Sequence, residues 1–265
     1  MIQEIGIVRK VKNYRPLIFS LVLELPAIAH VARPGQFVHL LVQNAPGVLL
    51  RRPFSISGVC ERQVLFLIRV VGSGTTALAK LWEGAAVDVI GPLGDGFAME
   101  GVKRAALVGG GIGAAPLLYL QDELHKQGTE VHFFLGSKTA DEYPLPPEAV
   151  QFRNIVPSTD DGTYGRHGFV TQHFQEWLEN DSRQGLQVYS CGPVGMMEQV
   201  ARISDRYGLP HQASLENRMA CGIGVCQGCA VRMKETHEHG SGFRLVCKDG
   251  PVFDAGDIDW SLIPH

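Results

Sequence analysis

Nowhere in these 265 residues is there an unbroken apolar run of the roughly 18 residues that a membrane-crossing helix needs. Positive charge is not in excess either. Twenty-four Lys and Arg stand against 27 Asp and Glu, a formal net charge of −3, which argues against a general nucleic-acid or membrane-surface binder. The opening Met1-Ile-Gln-Glu-Ile-Gly6 has no basic stretch leading into an apolar one, so no signal peptide is expected and the cytoplasm is the expected compartment. Cysteine is sparse, six in all, and a disulfide framework fits poorly with a reducing cytosol. Glycine, by contrast, is plentiful at 31 and gathers in loops, as it does where α/β proteins hold cofactor phosphates. The hydrophobic share of 45% is that of an ordinary globular chain, and the length suffices for two domains and a small appendage.

Four of the six cysteines lie near the C-terminus. Cys221-Gly-Ile-Gly-Val-Cys226-Gln-Gly-Cys229 has C-x4-C-x2-C spacing, and Cys247 completes a quartet. Thiolates so spaced wrap a plant-type [2Fe–2S] cluster. The interleaved Gly222, Gly224 and Gly228 suit a backbone that curls tightly and turns amides toward sulfur. Structural zinc is the main competitor, although zinc ribbons use two C-x2-C-like pairs rather than three cysteines together and one apart. A Rieske centre needs two histidine ligands, and His237 and His239 do not follow cysteines at its spacing. Cys60 and Cys191 read as buried apolar fillers.

The first hundred residues read as short strands, Ile18–Leu25, Gln36–Val42, Val64–Val71 and Ala86–Ile90. Pro26, Pro34-Gly35 and Gly91-Pro92 serve as turns between them, with one helix over Thr75–Trp82. An antiparallel barrel or sandwich is expected. From about residue 104 strands and helices alternate. The strands are Ala105–Val108, Val131–Leu135 and Gln187–Ser190, and the helices Ala115–Gln127, Thr171–Glu179 and Val194–Tyr207. That alternation implies a parallel sheet with helices on its faces.

Three segments carry chemistry. Gly109-Gly-Gly-Ile-Gly113-Ala-Ala-Pro116 joins the first strand and helix of the α/β region, where glycines admit a pyrophosphate to the helix N-terminus. Ser190-Cys191-Gly192-Pro193 follows a later strand and opens at the same sheet edge; a plain strand-to-helix loop is the competing explanation. In the β region, Arg51-Arg52-Pro53-Phe54-Ser55-Ile56 offers guanidinium groups for a pyrophosphate and a hydroxyl for a flavin nitrogen, and Gly72-Ser-Gly-Thr75 precedes a helix. Singly, each is also an ordinary surface feature or cap.

In their order along the chain, R-P-F-S, G-x-G-T, G-G-G-I-G-x-x-P and C-G-P resemble the ferredoxin–NADP reductase superfamily, as does Gly91-Pro-Leu-Gly-Asp-Gly-Phe97. The cysteine tail narrows the resemblance to the electron-transfer subunits of two-component, NAD-dependent dihydroorotate dehydrogenases, over essentially the whole chain. The implied fold is multi-domain α/β plus β: an antiparallel FAD-binding β-barrel over 1–101, a parallel α/β NAD-binding domain over 102–212 and a small C-terminal [2Fe–2S] domain over 213–265. By this resemblance Arg52, Pro53, Phe54, Ser55, Leu67, Ile68 and Arg69 line the FAD, and Gly74 and Thr75 hold its pyrophosphate. Gly110, Gly111, Gly113, Cys191, Gly192 and Pro193 surround NAD(H), which places Cys191 near the nicotinamide. Cys221, Cys226, Cys229 and Cys247 ligate the cluster, and Glu216 approaches the flavin from the interdomain side.

The implied route is NADH to FAD to [2Fe–2S] to the FMN of a dihydroorotate dehydrogenase catalytic subunit, in a heterotetramer of two of each chain serving pyrimidine biosynthesis. No general base for dihydroorotate is identifiable. Alternatives are a homologous iron–sulfur flavoprotein subunit of a ferredoxin-dependent transhydrogenase, sulfide dehydrogenase or hydrogenase-type complex, and a non-catalytic nucleotide-binding regulator stapled by zinc. NAD is expected over NADP on the resemblance, although Ser137-Lys138 after the second α/β strand offers a cation to a 2′-phosphate, with Asp141 and Glu142 close behind.

Overall fold

The computed structural model describes residues 1–41, 49–234 and 242–263. Val42 at the end of one expected strand, and both His237 and His239, lie outside them. The N-terminal region is one antiparallel sheet of seven strands: β1 (Ile2–Arg15), β2 (Ile18–Glu24), β3 (Phe37–Leu41), β4 (Arg52–Ser55), β5 (Gly58–Cys60), β6 (Gln63–Arg69) and β7 (Ala86–Leu93), in the order β4-β3-β7-β1-β2-β6-β5. The segment from β4 into β5 closes it. It pairs with β3 on one side and, through Ser57 N donating to Leu65 O at 2.9 Å, with β6 on the other. Inward-facing Phe19, Leu21, Leu23, Val38, Leu40, Phe66 and Val89 fill the interior. Alternation along each strand thus sends one set of side chains in and leaves the other for neighbouring layers.

Where elements differ from expectation, local causes are visible. β1 is the longest strand, yet its period-two signal is broken by register shifts between Val8 and Lys10 and between Asn13 and Arg15, and most of its residues touch solvent. The Gly91-Pro92 step lies inside β7 rather than turning out of it, with Ile2 of β1 paired to Gly91. The two helices of the barrel are short, α1 (Pro26–Val31) and α2 (Ser73–Leu78). The latter starts earlier and stops earlier than 75–82. Thr75 Oγ1 accepts from the amides of Val71 and Gly72 and draws the helix start back, and 3₁₀-type bonds beyond Leu78 end it.

The second sheet runs β11-β10-β9-β8-β12-β13-β16. Its members are β8 (Arg104–Gly110), β9 (Glu130–Ser137), β10 (Ile155–Thr159), β11 (Arg166–His167), β12 (Leu186–Cys191), β13 (His211–Ser214) and β16 (Val252–Asp254). The first six are parallel, and β16 adds antiparallel to β13. Helices α3 (Ala114–Lys126) and α4 (Pro147–Phe152) cover one face; α5 (Val170–Asn180) and α6 (Val194–Arg206) cover the other. The expected border at 212/213 falls within β13, and β16 joins this sheet from the C-terminal segment. A hairpin of β14 (Ala230–Arg232) and β15 (Phe243–Leu245) completes that segment.

These pieces share cores rather than merely touching. Ile18, Leu67 and Phe97 of the barrel region pack in one cluster with Leu117 of α3 and Tyr189 of β12, and Tyr119 of α3 donates to Ala32 O at 3.0 Å. On the other side, Phe37 and Leu93 pack with Cys229, Val246, Cys247 and Trp260. The Trp260 indole donates to Ala255 O at 3.0 Å. Among the described residues no helix is long and apolar enough to cross a membrane.

Candidate functional site

Two clefts open at the carboxyl edge of the second sheet, where open α/β folds take ligands. The first lies between the barrel and the α/β region. Seven of the nine residues expected around a flavin line it: Pro53, Phe54 and Ser55 from β4, Leu67, Ile68 and Arg69 from β6, and Thr75 from α2. Gly74 and Arg52 meet at its end. A Cβ on Gly74 would stand 2.5 Å from Arg52 Nε, so the guanidinium lies directly over that backbone, held by a bond from Nη1 to Leu50 O at 2.8 Å. The walls are mostly apolar, with Phe37, Ile112, Leu215, Met219 and Pro251 facing Pro53 and Leu67. A flat aromatic ring with one polar edge fits between such walls and Ser55, Arg69, Glu216 and Asn217.

Glu216 is an exposed residue on the floor of this cleft, and the protein crowded around it raises its carboxyl above the usual range. Ser214, Leu215, Asn217 and Met219 were not singled out in the sequence. Their signal is that β13 points them at the cleft, and short strands of four residues leave no clear pattern.

The second cleft, about 1100 Å³, is lined by Gly110 and Gly111 at the end of β8, Gly136, Ser137 and Lys138 at the end of β9, Asp160 after β10, and Pro193, Gly195 and Met196 after β12. Lys138 and Glu142 face it and Asp141 does not. Asp160, missed in the sequence, is raised by burial against the opposing pull of Lys138. The remaining expected residues act one layer down. A Cβ on Gly113 would stand 2.6 Å from the carbonyl carbon of Cys191 and from the α-carbon of Gly192, and one on Gly110 would stand 2.6 Å from Pro193 Cδ. Glycine at 110, 113 and 192 therefore lets the two loops interlock. Cys191 itself is buried in the core at 1% exposure rather than lining either cleft, and burial, then Glu216, push its thiol well up.

The two clefts adjoin. Arg69 lines both and pairs across them with Glu142 at 2.9 Å. The glycine loop also serves both, Gly110 and Gly111 facing one cleft and Ile112 and Ala115 the other.

Two residues past Met219 the chain reaches the cysteine quartet. All six cysteines are free thiols. Gly224 N donates to Cys247 Sγ at 3.1 Å, Cys226 N to Cys221 Sγ at 3.4 Å and Cys247 N to Cys229 Sγ at 3.5 Å. Cys221 lies beside Cys226, and Cys247 lies beside Cys229 and within electrostatic reach of Cys221. Four thiols gathered at C-x4-C-x2-C spacing with one further on are the ligand set of a [2Fe–2S] cluster. Partial burial pushes the Cys221 thiol up, but the amides of Cys226 and Ile223 and the Cys226 thiol outweigh it and bring it down to about 6. Burial, then the Cys229 thiol, push Cys247 up to about 12. Of the interleaved glycines, Gly222 (φ +70°) and Gly224 (φ +81°) need the left-handed region; Gly228 does not, and Gln227 (φ +58°) adopts it instead. Cys226 is exposed, with Val225 at 73% exposure beside it, while Cys229 and Cys247 are buried.

Beneath this loop lies His39 of β3, 1% exposed. Burial, then the charge of Arg51, hold its imidazole down to about 4, so the ring is neutral near pH 7. Among the described residues neither ring nitrogen has a hydrogen-bond partner. An unsatisfied buried donor costs about 1–3 kcal/mol.

A closed antiparallel barrel, a parallel sheet beside it and a cleft shared between them define an oxidoreductase of the ferredoxin–NADP reductase fold, here extended by a four-cysteine segment. A family model described as the iron–sulfur cluster binding domain of dihydroorotate dehydrogenase B matches residues 216–259, and an oxidoreductase NAD-binding domain matches 107–202. The chain is 39% identical over 247 residues to the dihydroorotate dehydrogenase B (NAD(+)) electron transfer subunit of Shouchella clausii, covering 91% of this chain and 92% of that one. The subunit of the same name from Streptococcus pneumoniae R6 is 39% identical over 249 residues, 92% and 93% of the two chains. The chain belongs to the family of dihydroorotate dehydrogenase B electron transfer subunits. Among solved structures, one of an NADH-dependent reduced ferredoxin-NADP oxidoreductase aligns over 97% of this chain and 90% of that one, with a TM-score of 0.84 and 26% identity. Phthalate dioxygenase reductase shares the fold at a TM-score of 0.65 and 17% identity, over 92% and 94%.

Proposed function

We infer that this chain carries electrons between NAD(H), FAD and a [2Fe–2S] cluster as the electron-transfer subunit of an NAD-dependent dihydroorotate dehydrogenase in pyrimidine biosynthesis. One observation carries this: the nucleotide cleft and the flavin cleft adjoin at Arg69, and the flavin-cleft residues from Ser214 to Met219 lead within two residues to Cys221. When bound, FAD accepts a hydride as a two-electron unit and releases electrons singly to a one-electron cluster.

Where this chain's residues stand supports the following roles. Pro53, Phe54, Leu67 and Ile68 give the flavin apolar contact and exclude water, while Ser55 and Arg69 offer it hydrogen bonds. Arg52, Gly74 and Thr75 sit together where the pyrophosphate extends. Gly110, Gly111 and Pro193 give the NAD phosphates a surface without side-chain bulk, and Gly113, Cys191 and Gly192 hold those loops together. Cys221, Cys226, Cys229 and Cys247 hold the cluster. In functional terms the chain divides into 1–101 for FAD, 102–212 for NAD and 213–265 for the cluster, the last two sharing one sheet. Dihydroorotate oxidation falls to a separate FMN-containing catalytic subunit, in a cytoplasmic heterotetramer of two of each chain. NAD is the preferred nucleotide, with Asp160 beside Lys138 set against a 2′-phosphate.

The test is reconstitution. Loaded protein mixed anaerobically with an FMN-containing dihydroorotate dehydrogenase subunit should give dihydroorotate-dependent reduction of NAD⁺ that neither chain gives alone. Electron exchange with ferredoxin but not with that subunit would instead support the transhydrogenase-type alternative, which the structural likeness over 97% of the chain keeps second. Arg52→Ala should loosen FAD about 10- to 100-fold, the loss of charged hydrogen bonds to phosphate. Flavin content after gel filtration checks this, and full retention rejects the assignment.

A further inference from the structure

His39 is the one buried side chain next to the cysteine loop whose polar atoms have nothing to bond among the described residues. Its place is set by β3. Val38 and Leu40 point into the barrel, so His39, paired with Pro53 of β4 and Ile90 of β7, points outward with Phe37. What covers it there is the loop at Gly222. A Cβ on Gly222 would stand 2.5 Å from His39 Cε1 and closer still to Nε2, so the Nε2 end of the ring presses against the backbone one residue past Cys221. Phe37 flanks the ring at 5.8 Å between centroids, and no solvent reaches it.

A neutral imidazole has one N–H donor and one acceptor. Buried His173 of α5 likewise has neither ring nitrogen hydrogen-bonded among the described residues, whereas buried His211 has a 2.8 Å contact between Nε2 and Ser190 Oγ. His39 has no such partner, yet its Nε2 end is aimed at a loop whose amides are already turned toward thiol sulfur, as Gly224 is toward Cys247 and Cys226 toward Cys221. The polar groups that Gly224 and Cys226 address in this loop are sulfurs.

We propose that Nε2–H of His39 donates a hydrogen bond to sulfur at the Cys221 side of the cluster, either the Cys221 thiolate or a bridging sulfide, and so sets the cluster's reduction potential from the barrel. The inference rests on the cluster assignment made above. His39 is a positioning residue rather than a ligand, and it couples the barrel strand that borders the flavin cleft through Phe37 to the cluster loop. A donor aimed at sulfur favours the reduced cluster, which carries one more negative charge, and therefore raises its potential.

The first measurement needs no variant. Wild-type protein labelled with ¹⁵N-histidine and reduced anaerobically should show, by pulsed electron paramagnetic resonance, a weak hyperfine coupling from an imidazole ¹⁵N to the cluster. It should vanish in His39→Gln, which keeps an N–H donor but no ring. In His39→Leu the one-electron reduction constant should fall about tenfold, or about 59 mV, with His39→Gln nearer wild type. A reduced cluster with no imidazole coupling in wild type overturns the His39 contact and leaves the cluster assignment standing. The contact is overturned equally if the Leu, Gln and His proteins share one potential. A wild-type protein with no paramagnetic reduced cluster would refute the cluster assignment itself, and the contact with it.

Discussion

In Cys226→Ser protein, NADH should still reduce the flavin at close to the wild-type rate, while electron delivery to a partner protein falls by more than about 100-fold. Altering residues that merely support a metal's ligands typically costs 10- to 100-fold, and here a ligand itself is lost. Cys226 suits the experiment because of where it sits. It is exposed, whereas Cys229 and Cys247 belong to an apolar core with Phe37, Val246 and Trp260, so changes there would confound loss of ligand with loss of packing. Serine keeps the backbone amide that donates to Cys221 Sγ, so the loop retains its own framework. The clefts upstream share no residue with Cys226. Anaerobic rapid mixing followed by flavin absorbance reads the first half, and iron content with reduction of the catalytic subunit reads the second. Loss of flavin reduction in a folded, FAD-loaded variant would mean that the cluster is not downstream. Undiminished delivery to the partner would mean that it is not on the path.

What the sequence made legible was chemistry concentrated in contiguous residues. Arg52–Ser55, Gly72–Thr75, Gly109–Gly113 and the cysteine loop are each a few neighbouring positions whose types are restricted by a phosphate, a ring or a metal, and the structure brings them to two adjoining clefts and one loop. Less legible was whatever depends on distant pairing. β1 hides its alternation behind two register shifts, and β16 is three residues whose place beside β13 is fixed only by the returning chain. Partners drawn from separate segments were equally invisible: Arg69 with Glu142, and His39 under Gly222. The glycine motif was legible for an incomplete reason. Room for phosphate explains Gly110 and Gly111, which line the cleft, but Gly113 answers to another loop nearly eighty residues on.

That second reason yields the other large effect. Gly113→Val should slow NADH-driven flavin reduction about 10- to 100-fold while leaving bound FAD and cluster in place. Gly113 has ordinary helical torsions, φ −60° and ψ −8°, so a side chain there meets no conformational objection. The objection is steric and comes from main chain. The Cys191 carbonyl carbon and the Gly192 α-carbon, each 2.6 Å from the new Cβ, cannot swing aside as a side-chain tip would. Gly192 is itself held at φ +152°, packed against Gly110. Valine must therefore part the loops after β8 and β12, and these supply Gly110, Gly111 and Pro193 to the nucleotide cleft. Overpacking of this kind costs about 1–3 kcal/mol, which corresponds to the stated range if it falls on nucleotide binding. Ile112 and Ala115 of the displaced segment also border the flavin cleft, but most of its lining comes from β4, β6 and α2 on the barrel side, so FAD should stay bound and reduction by dithionite should be unaffected. A folded variant with wild-type NADH kinetics would show that the loops can part without disturbing the nucleotide, and that Gly113 is a packing glycine only.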